Sequence, residues 1–567
     1  MGKSNLASGI QFCSKPNSWA HYFRDLTSGS ACGLMWGWRF RTTVDRTSNA
    51  TQQAKPLPES RVKRKGLSVF LFLLGAALAA HSSESQPVNS AQLMAWLTAG
   101  VPSSRLVRIV QERGIASVPG KEQIRQLEAA GADPTLARTL TKTNLKPSAA
   151  KSALSEAALS EGPTSGITTS EIPAVLVQAA ADARNQRFHE AELALRQALS
   201  SDPENAALHF ALGTMLRQQE LWDDAFDEIT QSAQLMPDFP ENHSSLAYIF
   251  YRLDDGPNAI AEARTALSMD PQNAEAYQFL GLALYSNGQY GAAVHAFAES
   301  LARDANNVDT YYDLGITFHA DGNLPAAINA YRQAIHLNRA FWQAHSNLAL
   351  ILHEQSKLNE AIAEYREAKR LAPGEASVRN NLGNTYCDKG DFEAAMLELR
   401  ELYRQHPEWE QGHSCLARAY ISKKDYGSAV DELQLAVRQN PAGSAEHRAL
   451  GEALLLGDKL EEAVRELRLA VGLNPDSEAA HHALGTALFQ QQELPAAEKE
   501  FREALRLNAS PDNHYSLAAC LMTMDRYEEA LSELETAARL DPERKLYQAR
   551  RDELLKLMQT MKDTNSR

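Results

Sequence analysis

From Ile172 onward the chain repeats itself every 34 residues, and this period limits what it can fold into more than any other feature. A doublet of Leu with Gly or Ala recurs at Leu212-Gly213, Leu246-Ala247, Leu280-Gly281, Leu314-Gly315, Leu348-Ala349, Leu382-Gly383, Leu416-Ala417, Leu450-Gly451 and Leu484-Gly485, with Leu517-Ala518 following after 33. An alanine stands twelve residues after each, from Ala225 to Ala530, and a proline closes most units, among them Pro203, Pro237, Pro271, Pro373, Pro407, Pro441, Pro475 and Pro542. A period of this length marks a stack of identical supersecondary units, each burying its apolar face only against its neighbours. A chain of 567 residues therefore needs no single large core.

Each unit holds two stretches with apolar residues spaced i, i+3, i+4, i+7, as in Leu348 and Leu352 followed by Ala361, Tyr365 and Ala368. The small residues at the eighth and twentieth places let two helices approach closely. Gly288, Gly322 and Gly390 fall between the helices, where a residue tolerant of positive φ is expected. The prolines mark the step to the next unit. Eleven units begin at Ile172, Ala206, Pro240, Ala274, Val308, Trp342, Ala376, Glu410, Ser444, Glu478 and Pro511, and Lys545 to Lys562 forms an amphipathic closing helix. The pattern closely resembles the tetratricopeptide repeat. That resemblance implies an all-α fold, an α-α superhelix over residues 172–544 whose first helices line the concave face.

Before the repeats, four short amphipathic pieces run from Asn89 to Thr143, giving a small four-helix module over 88–143. Asn89 or Ser90 can cap the first piece, and Asp133-Pro134 opens the fourth. Leu93, Trp96, Leu97, Leu106, Ile109, Val110, Ile124, Leu127, Leu136 and Leu140 can fill one core. The segment resembles a helical module found beside repeat domains in some bacterial envelope proteins. A Ser/Ala/Thr/Pro-rich stretch over 144–171 reads as a flexible linker.

Arg61-Val62-Lys63-Arg64-Lys65 precedes an apolar run from Leu67 to Ala80 that ends in small residues. A basic region, an apolar run and a small-residue end are the signature of a secretory signal, and the run is shorter than the roughly 20 residues a membrane helix needs. Two readings stand open for 62–81: a cleaved signal peptide, with residues 1–61 a mis-assigned extension, or an uncleaved anchor that associates residues 66–80 with the membrane. Both place the solenoid outside the cytoplasm, in the periplasm or anchored at the inner membrane. A cytoplasmic protein is the alternative. Residues 1–61 carry no helical or strand periodicity and are expected to be disordered.

Charge and motifs narrow the function. Residues 1–65 hold eleven Lys/Arg against three Asp/Glu, a balance of +8, which leaves −22 on the rest of a chain whose net charge is −14. So acidic a body has no general attraction to nucleic acid; partners with basic patches suit it. No G-x-x-x-x-G-K-[ST], H-E-x-x-H or G-x-G-x-x-G occurs, and no enzyme activity, cofactor or metal site is expected. Cys13, Cys32, Cys387, Cys415 and Cys520 match no zinc or disulfide framework. His209, His243, His345, His413, His447, His481 and His514 all take the fourth place of their units. Neighbouring units lie about 10 Å apart while zinc ligands converge to about 2 Å from one ion, so these histidines are expected to pack.

Family resemblance puts places 2, 5, 6, 9, 12 and 13 of each first helix on the inner surface. The richest set there is Tyr312, Asp313 and His319, then Asn347 and His353, Asn380, Asn381 and Asn384, and Arg418, the expected partner-binding residues. The run Asn380-Asn381-Leu382-Gly383-Asn384 resembles the asparagine ladder in the repeat region of O-linked N-acetylglucosamine transferases. Asparagine amides both donate and accept and can pair with an extended peptide backbone. Tyr248, Tyr251, Phe279 and Tyr285 add aromatic anchors. The chain reads as a scaffold or adaptor that binds an extended peptide or partner protein on its concave face. The alternative is a non-catalytic, substrate-recruiting or assembly subunit of an envelope enzyme or secretion complex. Self-association through the solenoid ends is open.

Overall fold

The computed structural model describes residues 11–14, 38–41, 87–142, 172–409 and 411–565. The signal or anchor segment and the linker lie outside the described residues, as does most of 1–61, where two short strands, β1 (Gln11–Ser14) and β2 (Trp38–Arg41), pair antiparallel. Among the described residues the remaining elements are helices, with one isolated bridge between Val88 and Ile115. Two compact units divide the chain, one within 50–337 and the other within 338–567.

In the first unit, helices α1 (Ser90–Thr98), α2 (Ser103–Arg113), α3 (Lys121–Ala130) and α4 (Pro134–Lys142) form the module. Asn89 caps α1 in a reciprocal capping box with Gln92. Asp133 caps α4, accepting from the amides of Thr135 and Leu136 at 2.9 and 2.7 Å. The module does not keep a core to itself. Trp96 stacks on Phe239 at 5.0 Å, Phe239 meets Phe210 edge-on at 5.2 Å, and Leu93, Leu106 and Leu127 share one buried cluster with Leu176, Phe210 and Leu212. Arg105 pairs with Glu241 and, at 3.3 Å, with Asp270, while Arg113 reaches Asp238 at 3.2 Å. The module thus lies on the first helices of repeats 1 to 3.

The repeats follow one plan in both units: a 13-residue A helix such as Ala206–Gln218, a tight turn, then a 14-residue B helix such as Trp222–Leu235. Repeats 1 to 5 end at Leu337 and repeats 6 to 11 begin at Trp342. A polar cap starts many A helices, as where Asn273 accepts from the Ala276 amide. Gly281 and Gly315 have no room for a side chain, because a Cβ there would fall 2.6 Å from the Phe297 ring and 2.5 Å from the Tyr331 ring. Gly288, Gly322 and Gly390 adopt positive φ as expected. The same turn place in the other eight repeats also has φ near +60° but carries a non-glycine, among them Glu220, Lys424 and Gln492, so the stacking of two helices overrides the local preference.

One repeat breaks the pattern. Its A helix was expected to start at Glu410, but it starts at His413 and has only ten residues. Gly412, at φ 102°, ends the incoming loop in the left-handed region, and a Cβ there would meet Leu399, Asn380 and Tyr403. The first helical turn of repeat 8 is therefore missing. At the C-terminus, helix Lys545–Asn565 closes the stack. Tyr547, in its first turn, is fully buried and donates to Asp512 at 2.6 Å.

Candidate partner-binding site

The seven histidines are ties inside repeats. Each donates from Nδ1 to a glutamate 19 residues later on its own B helix: His209 to Glu228, His243 to Glu262, His345 to Glu364, His413 to Glu432, His447 to Glu466, His481 to Glu500 and His514 to Glu533, all at 2.5–2.7 Å. In four of them Nε2 reaches the carbonyl six residues earlier, as in His209 to Pro203 at 2.9 Å and His345 to Arg339 at 3.4 Å. At His209 and His345 both partners are acceptors, and only an imidazolium offers two donors. Burial opposes the charge on His209 and His345, but the bonds to Glu228 and Glu364 outweigh it and raise both pKa values. Arg379 does the same work in repeat 7, donating to Glu398 at 3.0 Å and to the Pro373 carbonyl at 3.3 Å. Among the described residues no group of His, Cys, Asp and Glu is arranged to hold a metal ion.

In the first unit, Tyr312, Asp313 and His319 lie half-buried on the A helix Val308–Ala320. Asp313 accepts from Gln278 Nε2 of repeat 4 at 3.0 Å and has no cation beside it among the described residues. Its surroundings are aromatic. Tyr251 lies within electrostatic reach of Asp313, Tyr248, Tyr285 and Arg252, and Tyr248 packs on Phe279 at 4.8 Å and on Tyr251 at 6.1 Å. Burial, with Asp309 nearby, raises the Asp313 carboxyl to about 7 against the opposing bond from Gln278. Of the four anchor aromatics Tyr251 lies near this carboxylate, while Tyr248 and Phe279 already carry the Arg217 guanidinium, 5.3 and 5.7 Å from their ring centroids. Repeats 1 to 3 offer less, because the module's Trp96 stacks on Phe239 and its Arg105 pairs with Glu241 there.

In the second unit, His353 and Arg418 come together on a third residue that the sequence reading passed over. Asp388 accepts from His353 Nε2 through one oxygen and from Arg418 Nη1 through the other, both at 2.9 Å. These two expected binding residues are thus joined across repeats 6, 7 and 8. The spacing that could have found Asp388 is 35 residues, one repeat plus one, and it recurs from Gln278 to Asp313 and from Asp512 to Tyr547. Asn347 and Asn380 are buried, while Asn381 and Asn384 are half-buried and lie three residues apart on one helix. The Asn380 side chain is 3.5 Å from Gln411 Oε1, and its own Oδ1 is buried with no donor. It faces the place where repeat 8 lacks its first turn, next to Gly412.

A family model for the tetratricopeptide repeat matches residues 176–240, 245–308, 312–376, 415–478 and 482–545, and a second model of that repeat matches 376–403. More than half of the chain is covered, and the chain belongs to the tetratricopeptide-repeat family. Such repeats generally form protein-interaction scaffolds that bind protein or peptide partners and are typically non-catalytic. Among solved structures, yeast Tom70 is similar at 15% identity over 69% of this chain and 96% of that one, with a TM-score of 0.31. YrrB, described as a TPR protein with an unusual peptide-binding site, is 22% identical over 35% of this chain and 97% of its own, with a TM-score of 0.29. A tetratricopeptide-repeat protein from Parabacteroides merdae is 17% identical over 44% and 98%, with a TM-score of 0.36. No curated protein matches in sequence.

Proposed function

We propose that this protein is an exported interaction scaffold that holds an extended, basic segment of a partner protein against the inner faces of its A helices. The observation that carries this reading is Asp313, a half-buried carboxylate among tyrosines with no cation of its own among the described residues. A lysine or arginine side chain would supply the missing charge. Asn381 and Asn384 are the groups suited to a peptide backbone in repeat 7. The −22 charge of the chain beyond residue 65 favours the encounter with a basic partner. Export rests on the basic and apolar segment 62–81 and is tested by fractionating cells that make the full chain.

The binding test captures partners from native extract with the full chain, with Asp313→Asn and with Asn381→Ala/Asn384→Ala. A partner retained by the natural chain and weakened at least tenfold by either variant, with unchanged circular dichroism, is the expected result. Equal retention by all three would refute the inner-face reading. The Asp313 contribution also carries a pH signature. A cation binds the ionised carboxyl, so affinity should rise from pH 6 to 8 around its value of about 7 and stay flat in Asp313→Asn.

A further inference from the structure

Cys387 and Cys415 lie on the A helices of repeats 7 and 8 and face each other with crossed contacts. The Cys387 thiol donates to the Cys415 carbonyl at 3.4 Å, and the Cys415 thiol donates to the carbonyl of Gly383, one turn before Cys387, at 3.7 Å. The two thiols are also within hydrogen-bonding reach of each other. Both residues are almost fully buried, and both are reduced. Cys520 is far away in sequence, where its thiol meets the Leu494 carbonyl.

The joint they share is the irregular one. The A helix of repeat 8 has ten residues, where those of repeats 2 and 7 have 13 and 14. What remains on the inner side is held by Asp388, next in sequence to Cys387, and by Arg418, three residues after Cys415. Arg418 also donates to the Cys387 carbonyl at 3.4 Å. The sulfurs are thus carried on two helices tied to each other by Asp388 and Arg418, just after the pair.

We infer that Cys387 and Cys415 are a disulfide-forming site that staples the inner helices of repeats 7 and 8. The oxidant is a disulfide of low molecular weight or of a partner oxidoreductase. One protein thiolate attacks a sulfur of that disulfide, forming a mixed disulfide and expelling one thiolate. The second protein thiolate then displaces the remaining half, so the Cys387–Cys415 bond forms. Two protein thiols are oxidised, the reagent disulfide is reduced to two thiols, and the two protons pass to them. Burial and the neighbouring Cys387 thiol push the Cys415 thiol well above its ordinary range, which makes attack slow in the closed fold. The bond is therefore expected to form mainly as the chain folds in an oxidising compartment.

The test uses the full chain, once as reduced folded protein and once during refolding from denaturant, each with oxidised glutathione. Remaining thiols are alkylated in denaturant and the protein is digested with trypsin. The expected product is peptide 380–389 joined to peptide 405–418, two hydrogen masses below their sum, with Cys520 alkylated. It should accumulate at least tenfold faster during refolding than in the folded chain. Alkylated Cys387 and Cys415 under both regimes, separate glutathione adducts, or linkage of either residue to Cys13, Cys32 or Cys520 would each overturn the inference. A Cys387→Ser variant should leave Cys415 alkylated; a persisting crosslink at Cys415 would likewise count against it.

Discussion

Replacing His209 by Phe tests whether the repeated histidine is a charged tie or only a packed ring. His209 is 8% exposed, donates to Glu228 Oε2 at 2.6 Å and to the Pro203 carbonyl at 2.9 Å, and so joins the two helices of repeat 2 to the loop before it. Phenylalanine fills similar space but donates nothing. Losing a hydrogen bond to a charged group costs about 1.5–3 kcal/mol, and the partial exposure of Glu228 lets water recover some of it. The pKa of His209 is raised in the fold, so its stabilisation is fully present below the ordinary histidine value of about 6.5. It is lost as pH rises through the folded value. Amide hydrogen exchange in peptides from repeat 2, taken as the ratio of variant to natural chain, cancels the intrinsic pH dependence of exchange. At about pH 6 the variant should exchange roughly tenfold to hundredfold faster, as about 1.4 kcal/mol is a factor of ten, and by about pH 9 the ratio should be smaller but still above one, because a neutral imidazole keeps one N–H for Glu228. A ratio that stays the same at both pH values would refute the charged tie and leave only packing.

Two glycines should respond in opposite directions. Gly315→Ala drives a methyl into the Tyr331 ring and should destabilise by about 1–3 kcal/mol, whereas Gly472→Ala, in a B helix with nothing within 4 Å, should stabilise by about 0.5–1 kcal/mol; urea unfolding midpoints at constant slope decide both. Arg105→Met leaves buried Glu241 without its cation and Asp270 with Arg108 alone, and should cost about 3–5 kcal/mol of module docking. Faster exchange across Ser90–Lys142 with repeats 6 to 11 unchanged is the expected reading, and unaltered exchange would show that the docking does not depend on this cation.

Helices and their limits were legible because three independent needs act on the same 34-residue period. Close approach selects Gly or Ala at the eighth place, chain reversal selects a left-handed turn at the fifteenth, and proline excludes helix between units. Each leaves a residue type in the sequence. The left-handed turn was visible only where glycine fills it, at Gly288, Gly322 and Gly390; Glu220, Lys424 and Gln492 adopt it because the packed helices on either side leave the backbone no other route. The late start of repeat 8 was hidden for the reverse reason. Glu410 stands in register with the other starts, and nothing in the residue types marks that Gly412 takes φ 102° against Leu399 and Tyr403, with the helix beginning only at His413.

The inner face was harder to read, because place in a repeat gives direction but not partners. Asp388 shows what was missing. A polar residue on an inner face can meet solvent, a ligand or the next repeat, and the choice depends on whether its complement stands 35 residues away. Where that complement is present, as for His353 with Asp388 or Asp512 with Tyr547, the side chains hold neighbouring A helices together. Asp313 finds only the neutral amide of Gln278 at that spacing. A neutral donor leaves the carboxylate charge uncompensated, and burial without a counter-ion raises its pKa where an arginine would have lowered it. The 35-residue spacing that ties His353 to Asp388 thus brings Asp313 a neutral partner, and among the described residues its carboxylate has no counter-ion.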